Sequence, residues 1–532
     1  MTDALPLDGN SLRLAEVRLV ARSPLPVRLA DHARTAMRAS RAWVEAAASG
    51  ALVDADGASL PIYGVNTGFG SLARVRIPPE QVHALSMNLI RSHAAGVGPA
   101  LRADQVRGMM LLRANALAKG ASGCRPELVD TLCAMLTRGV TPEVPSQGSC
   151  GSSGDLAPLS HLGLVVFDGG DGDDRGGTGH AWYKGERLTG AAAMAAAGIP
   201  RLRPEPKEGL AITNGAQLST AIAALAAEDA ATLVLAAEIA AAMGFEALLG
   251  VTRALHPDVQ RLRPYPGAIA CAANLRSLLD GSNLVNSLPD KVQDAYALRC
   301  TPQVLGACRD GISFARRQIG IELNAATDNP VFLLDAEGDN KAFSAGLFHG
   351  EPVGLAADHL KLAVSELASL SERRIFRLTT GTLSSRLPAL LADRPGIGLM
   401  VPQATAAALV SENKALAWPA SADSIPTCED QEDHVAMSTT AARRAADVVA
   451  NSARVVAIEL LSATHALRWR HRDADARCGI GTQAAMAAVT NAIAGADESP
   501  GAQIEAITER ILDRSLVDRV RAVVALTEVA DA

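Results

Sequence analysis

The chain has 532 residues, 48% of them hydrophobic and only 3% aromatic, with a formal net charge of −7. That length is enough for one very large domain or for two to three ordinary ones. The acidic balance and the scatter of Lys and Arg along the chain argue against a nucleic-acid surface. Alanine is abundant, and as the best helix former it lets helices pack closely, so a mainly α protein with a large core is expected.

Residues Met1 to Asp8 contain no charged stretch followed by an apolar run, so no secretory signal is read there. The alanine-rich run Ala33 to Ala48 predicts one helix. Pro61-Ile62-Tyr63-Gly64-Val65-Asn66-Thr67-Gly68-Phe69-Gly70 follows, and its three glycines and one asparagine mark a loop. Tyr63 there is either a packing ring or a polar group with a task. Asn88 to Gly98 contains Ser92-His93, and a lone histidine is more often structural than functional.

Gly148-Ser149-Cys150-Gly151-Ser152-Ser153-Gly154-Asp155-Leu156-Ala157-Pro158-Leu159 is the densest run of small residues. Such a backbone bends sharply. It can be a flexible loop or a phosphate-cradling turn, although no Gly-Lys-Ser/Thr enters a helix here. A third option is chemical. In such a run a glycine nitrogen can approach a carbonyl carbon two residues back and a serine in between can lose water, giving a five-membered ring with an exocyclic methylene.

Residues 169 to 178 mix Asp and Gly but lack the terminal Glu of an EF-hand, so a solvated turn is expected. From about residue 206 long Ala- and Leu-rich helical runs begin, which divides the chain into 1–205 and 206–532. Asn214-Gly215-Ala216-Gln217 opens one of them, with Asn214 a plain cap on local grounds. The most apolar region, Ala230 to Gly250, is interrupted by Glu238 and Glu246, and no membrane span is expected.

Gln293, Tyr296 and Arg299 recur every three residues and would share one face of a helical turn. That stripe is either a solvated face or a carboxylate site built on a guanidinium fork. Phe348-His349-Gly350-Glu351-Pro352 offers two ligand types without partners, too few for a metal. Leu360, Val364 and Leu367, then Val449, Ala453, Val456 and Leu460, have the spacing of buried helix faces. Asp430-Gln431-Glu432-Asp433-His434-Val435 reads locally as a solvated or capped loop. The eight cysteines form no CxxC pair, as expected of reduced, mostly buried thiols in a cytoplasmic protein.

Taken together and in this order, these segments resemble the aromatic amino acid ammonia-lyases, over roughly residues 10 to 470. Ser152-Ser153-Gly154-Asp155-Leu156-Ala157-Pro158-Leu159 is similar to the segment that cyclises in that family to the MIO group (4-methylidene-imidazole-5-one), with Ser152 where Ala is usual. The resemblance implies that Ser153 becomes the methylidene carbon, Gly154 supplies the attacking nitrogen and Ser152 the attacked carbonyl, with no external cofactor and no metal. It implies Tyr63 as catalytic base and Asn214 in contact with substrate or the MIO oxygen. It implies Arg299 on the substrate carboxylate, Gln293 and Tyr296 lining the site, and Phe348 packed against the ring. Ala216 and Ala295 depart from the family's Thr and Pro.

Ser92-His93 and Glu432 match the histidine-specific subgroup, in which the acid engages the substrate imidazole, a sensible pairing for a ring that shares a proton. The implied activity is release of ammonia from L-histidine to give trans-urocanate. The implied fold is ammonia-lyase/fumarase-like, an N-terminal domain bearing the MIO loop plus a central bundle of long antiparallel helices, assembled as a homotetramer. Expected partners are the small-molecule amino acid and further copies of the chain, not nucleic acid or membrane. Ser152, Cys150, Ala216 and Ala295 keep open a tyrosine or phenylalanine lyase or aminomutase. A catalytically silent helical assembly protein is the rival from another class, although Ser153, Gly154 and Tyr63 are all retained.

Overall fold

A computed structural model of the chain describes residues 4–53, 56–68, 74–78, 81–169, 177–392 and 398–530. The acidic turn expected at 169–178 lies largely outside the described residues, as do Phe69 and Gly70 of the tyrosine loop. Helices dominate, as the alanine content predicts. The longest are Gln217–Ala247, Thr301–Glu322, Glu351–Thr379 and Ser438–Arg470. The strands are two to four residues long and form sheets of two or three strands.

The chain divides into two compact units. The first comprises residues 1–225, 318–357 and 419–443. Its centre is the helix Ala103–Ala118, which is buried on almost every side rather than along one stripe. A helix in that position must satisfy whatever polar groups it carries. Arg107 donates to the carbonyls of Val20, Ala21, Ser23 and Leu136. Arg113, with no exposed surface, donates to Asn214 O at 2.7 Å and Gln217 Oε1 at 2.8 Å. The expected helix at Ala33–Ala48 is present as Asp31–Ala48. It packs through Val44 and Ala47 on Ile62, Val65 and Phe332, which seats the loop carrying Tyr63.

The second unit comprises residues 226–317, 358–418 and 444–532. The expected core stripes are there: Leu360, Val364, Leu367, Ala453, Val456 and Leu460 are each 0% exposed. Its interior also holds ion pairs. Arg374 bonds Glu459 through Nε at 2.5 Å and Nη2 at 2.8 Å, with neither side chain exposed, and Ser371 adds a third donor. Arg309 reaches Glu238 at 2.9 Å, also buried.

One expectation needs correction. The acids at 238 and 246 do not keep Gln217–Ala247 below membrane-crossing length and hydropathy, for the helix passes on both counts. Its most apolar stretch is 94% buried inside the protein, as in a core helix, and Glu238 pairs there with Arg309 and accepts a hydrogen bond from Asn274.

Removing one partner of a fully buried pair strands the other charge. Arg374→Met is therefore expected to lower the unfolding free energy by about 3–5 kcal/mol, and Arg374→Met with Glu459→Met to recover most of that. Urea titration at fixed protein concentration measures both. A single variant as stable as the parent would contradict the assignment.

Candidate active site

The small-residue loop has the bent backbone that its composition predicts. Gly148, Gly151 and Gly154 have φ of +128°, +70° and +73°, a region favouring glycine. At two of them a side chain is also excluded by a neighbour. A Cβ on Gly154 would overlap the carbonyl of Gly215, and one on Gly151 would overlap the hydroxyl of Ser438. Gly154 and Gly215 pair as a short parallel bridge, with Asp155 N donating to Gly215 O at 2.8 Å. On the other flank, Met437 N donates to Cys150 O at 2.7 Å and Gly350 N to Gly151 O at 3.1 Å.

Asp155 carries this arrangement. It precedes the helix Leu156–Val166 at the cap position, yet its carboxylate caps nothing in that helix. Oδ1 accepts from Ser149 Oγ at 2.8 Å and Thr439 Oγ1 at 2.5 Å, while Oδ2 accepts from Ser219 N at 2.8 Å and Ser219 Oγ at 3.0 Å. Its side chain is fully buried. An acid just after a small-residue loop was visible in the sequence, but its partners at 219 and 439 were not.

Asn214 lies between Glu208–Thr213 and Gln217–Ala247 in extended backbone, not inside a helix. Its amide Nδ2 donates to Ser153 O at 2.8 Å, and its buried Oδ1 has no hydrogen-bond partner. Arg113 holds the Asn214 carbonyl from behind.

Glu432 is brought directly onto the tripeptide. Its Oε2 accepts from Ser152 Oγ at 2.6 Å and from Thr427 Oγ1 at 2.8 Å, and its Oε1 accepts from Ser153 Oγ at 2.6 Å. These serines are the uncyclised residues from which a ring would form. The carboxylate is presented by a tight turn in which Cys428, Glu429 and Asp430 all have φ between +52° and +61°. Three consecutive non-glycine residues in that region hold about 1–3 kcal/mol of strain each, and the turn is closed by reciprocal backbone bonds between Thr427 and Glu432. Burial alone would push the Glu432 carboxyl up. The donors from Ser152, Ser153, Thr427 and Cys428 outweigh it and hold the group below its ordinary value. The locally expected solvated loop is thus exposed at Asp430, Gln431, Asp433 and His434 but not at Glu432, which is half-buried.

His93 ends the helix Val82–His93, half-buried, with Nδ1 2.9 Å from Leu89 O. A carbonyl only accepts, so Nδ1 bears the proton and Nε2 is left as an acceptor, an assignment made from the partner. Burial pushes the His93 pKa down, partly opposed by the Leu89 carbonyl and by the charge of Glu432. Tyr63 is half-buried on a loop fixed by Asn66, which takes Ile62 N at 2.8 Å and gives to Leu60 O at 2.9 Å. Phe348 is half-buried in the segment whose Gly350 clamps Gly151. His349, next to it, directs Nε2 at His434 O at 3.1 Å. Among the described residues no group of three or more His, Cys, Asp or Glu is arranged to hold a metal ion.

Gln293, Tyr296 and Arg299 form their own cluster in the second unit. Only Tyr296–Arg299 is helical, so the expected three-residue stripe on one helix is corrected: Gln293 reaches Arg299 from the preceding loop. That loop is tied down by Asp294, which takes Val251 N and pairs with Lys291, both at 2.6 Å. Arg299 Nη1 bonds Gln293 Oε1 at 2.6 Å, and its guanidinium lies 4.8 Å from the Tyr296 ring centre. Tyr296 is 70% exposed, and the buried Nε of Arg299 has no hydrogen-bond partner. A guanidinium beside a phenol is suited to a carboxylate.

The residues present also fit the ring that the sequence implies. The backbone is held bent at Gly154 without room for a side chain. A donor already sits on Ser153 O, and withdrawing charge through that oxygen makes a conjugated methylidene more electrophilic.

The sequence profile of the aromatic amino acid lyases matches residues 12–491. A histidine ammonia-lyase of Gloeobacter violaceus is 46% identical over 527 residues, covering 98% of each chain. Among solved structures, a histidine ammonia-lyase from Trypanosoma cruzi superposes with a TM-score of 0.87 at 36% identity, covering 98% of this chain and 96% of that one. A tyrosine aminomutase from Streptomyces globisporus superposes at 0.89 with 32% identity, covering 99% and 100%.

Asp155→Ala would leave the donors of Ser149, Ser219 and Thr439 without their acceptor, a local loss of about 1–3 kcal/mol for each unsatisfied group. The variant is expected to keep its helical circular dichroism while the 148–155 loop becomes open to elastase under native conditions. Cleavage no faster than in the parent would contradict the anchoring role.

Proposed function

The chain belongs to the aromatic amino acid lyase family, and from that premise we propose that it releases ammonia from L-histidine to give trans-urocanate. The observation that carries this reading is the carboxylate of Glu432 lying on the Ser152–Gly154 tripeptide, where an imidazole N–H would find an acceptor. Histidine ammonia-lyases 42–49% identical over most of the chain support it. The tyrosine aminomutase likeness favours a second reading, a rearrangement or deamination of an aromatic amino acid in the same site. A phenyl ring offers Glu432 no donor, whereas a phenol can donate much as an imidazole does; the first reading is preferred over the tyrosine one because the histidine ammonia-lyases are 42–49% identical and the aminomutase 32%.

The proposed MIO ring, made from Ser152-Ser153-Gly154, would supply an electrophile for the substrate amine, a chemistry no coded side chain offers. The remaining work falls to this chain's own groups. Arg299 takes the substrate carboxylate with its guanidinium, and Gln293 and Tyr296 border it. Fixing both ends of the substrate, carboxylate and imidazole, aligns the β-carbon proton with the base. Tyr63 removes that proton, and since a phenol ordinarily titrates near 10 it needs positive charge or donors around it to do so near neutrality. Asn214 holds Ser153 O, and Phe348 packs over the ring. His93, kept neutral by burial, offers Nε2 as an acceptor at neutral pH.

We further assign the Arg299 cluster and the tripeptide to one centre completed between copies of the chain, in a homotetramer. Exposed apolar side chains at Val292, Tyr296, Leu355 and Leu362 support a further covering surface. The cytoplasm is the proposed location, in keeping with eight unpaired cysteines, five of them buried.

Absorbance of urocanate on adding L-histidine, with L-tyrosine and L-phenylalanine in parallel, tests the substrate. Turnover of histidine alone is expected; activity confined to an aromatic substrate would overturn the reading. Glu432→Gln is expected to lower kcat/KM about 10- to 100-fold, the value of a hydrogen bond to a charged group. Because the Glu432 pKa is depressed, the charged form is present across neutral pH. Of the donors that lower it, Ser152, Thr427 and Cys428 remain after ring closure, so the carboxylate is expected to stay charged at neutral pH and the acid limb of kcat/KM to lie well on the acid side of neutrality. Arg299→Lys removes the planar fork and is expected to raise KM about tenfold or more.

A further inference from the structure

The hydroxyls of Ser152 and Ser153 share the Glu432 carboxylate, one on each oxygen. Ring closure treats these two hydroxyls differently. It forms the bond from Gly154 N to the Ser152 carbonyl carbon, and the displaced oxygen leaves as water with the Gly154 and Ser153 amide protons. A second water carries off the Ser153 hydroxyl with that residue's Cα proton. No electrons are gained or lost, and no co-reactant is needed. The donor on Oε1 therefore disappears, while the Ser152 side chain, outside the ring, keeps its place on Oε2 beside Thr427 Oγ1.

We propose that Ser152 is a positioning residue for substrate recognition: with Thr427 it pins Oε2 of Glu432, so that loss of the Ser153 hydroxyl leaves Oε1 aimed at the place the substrate imidazole N–H occupies. This role rests on the histidine reading above. In the uncyclised chain the Ser153 hydroxyl holds the position later taken by substrate. Three features support the role beyond simple space-filling. Ser152 is 9% exposed, so its hydroxyl must find a partner inside the protein. The partner it takes is an acid 280 residues away, not a neighbouring carbonyl. And Glu432 is delivered to it by a strained turn, which fixes the backbone but leaves the carboxyl free to rotate unless its oxygens are held.

The test compares the parent with Ser152→Ala and Ser152→Thr by denatured mass, histidine kinetics and pH profile. Ser152→Ala is expected to lose both waters like the parent. Its KM for L-histidine should rise about tenfold or more, the value of one hydrogen bond to a charged group, with kcat less affected. With one donor gone, the Glu432 pKa rises and the acid limb of kcat/KM moves to higher pH. Ser152→Thr, which restores the hydroxyl, should restore both KM and the limb. A closed ring with unchanged KM and pH profile in Ser152→Ala overturns the positioning role alone. So does a variant that keeps both waters, since Ser152 would then act in closure. A parent with a closed ring and no activity on histidine overturns the substrate reading and this role with it.

Discussion

Asp155 accepts four hydrogen bonds, from Ser149, from Ser219 twice and from Thr439, while fully withdrawn from solvent. A buried carboxylate is tolerated only when its oxygens are saturated in this way. The cost is met by drawing two distant stretches of chain, at Ser219 and Thr439, onto the loop that carries Ser149 and Asp155. The geometry just before Asp155 follows from that. Gly154 is pressed against Gly215, the Ser153 carbonyl meets Asn214, and the flank at Cys150 and Gly151 is gripped by residues 437 and 350. A tripeptide of small residues has little of its own to restrict its backbone.

That rigidity is what a backbone cyclisation requires. A nitrogen must be held near a carbonyl carbon against the spread of conformations that glycine and serine allow, and the restriction is worth several kcal/mol when complete. The surrounding unit contributes through Arg113, whose buried guanidinium fixes the Asn214 carbonyl and Gln217 behind the tripeptide. Charge is distributed with similar economy. Glu432 stays ionised because hydroxyls surround it, and His93 stays neutral because burial outweighs the nearby acid.

Much of this was legible in the sequence. Alanine content predicted the helices, and the three-to-four-residue spacing at Leu360–Leu367 and Val449–Leu460 predicted core faces that are indeed buried. The small-residue run at 148–155 announced a bent backbone, and its three glycines do have left-handed φ. Contacts across long sequence separations were not legible. No local pattern says that Thr439 and Ser219 meet Asp155, or that Glu432 meets Ser152. The turn at 428–430 contains no glycine to announce its left-handed backbone. Gln293 looked like the start of a helical stripe because spacing alone does not reveal where a helix begins. Here it begins at Tyr296, so Gln293 reaches Arg299 from outside it.

The proposed chemistry of the site depends most on the tripeptide closing. The direct measurement is the mass of the denatured wild-type protein, followed by tandem mass spectrometry of the peptide containing residues 148–159. A chain two waters lighter than its sequence, with the whole deficit between Ser152 and Gly154, is the predicted result. A chain of full mass, purified with its helical fold intact, would contradict it and leave Glu432 and Asn214 gathered around an ordinary loop.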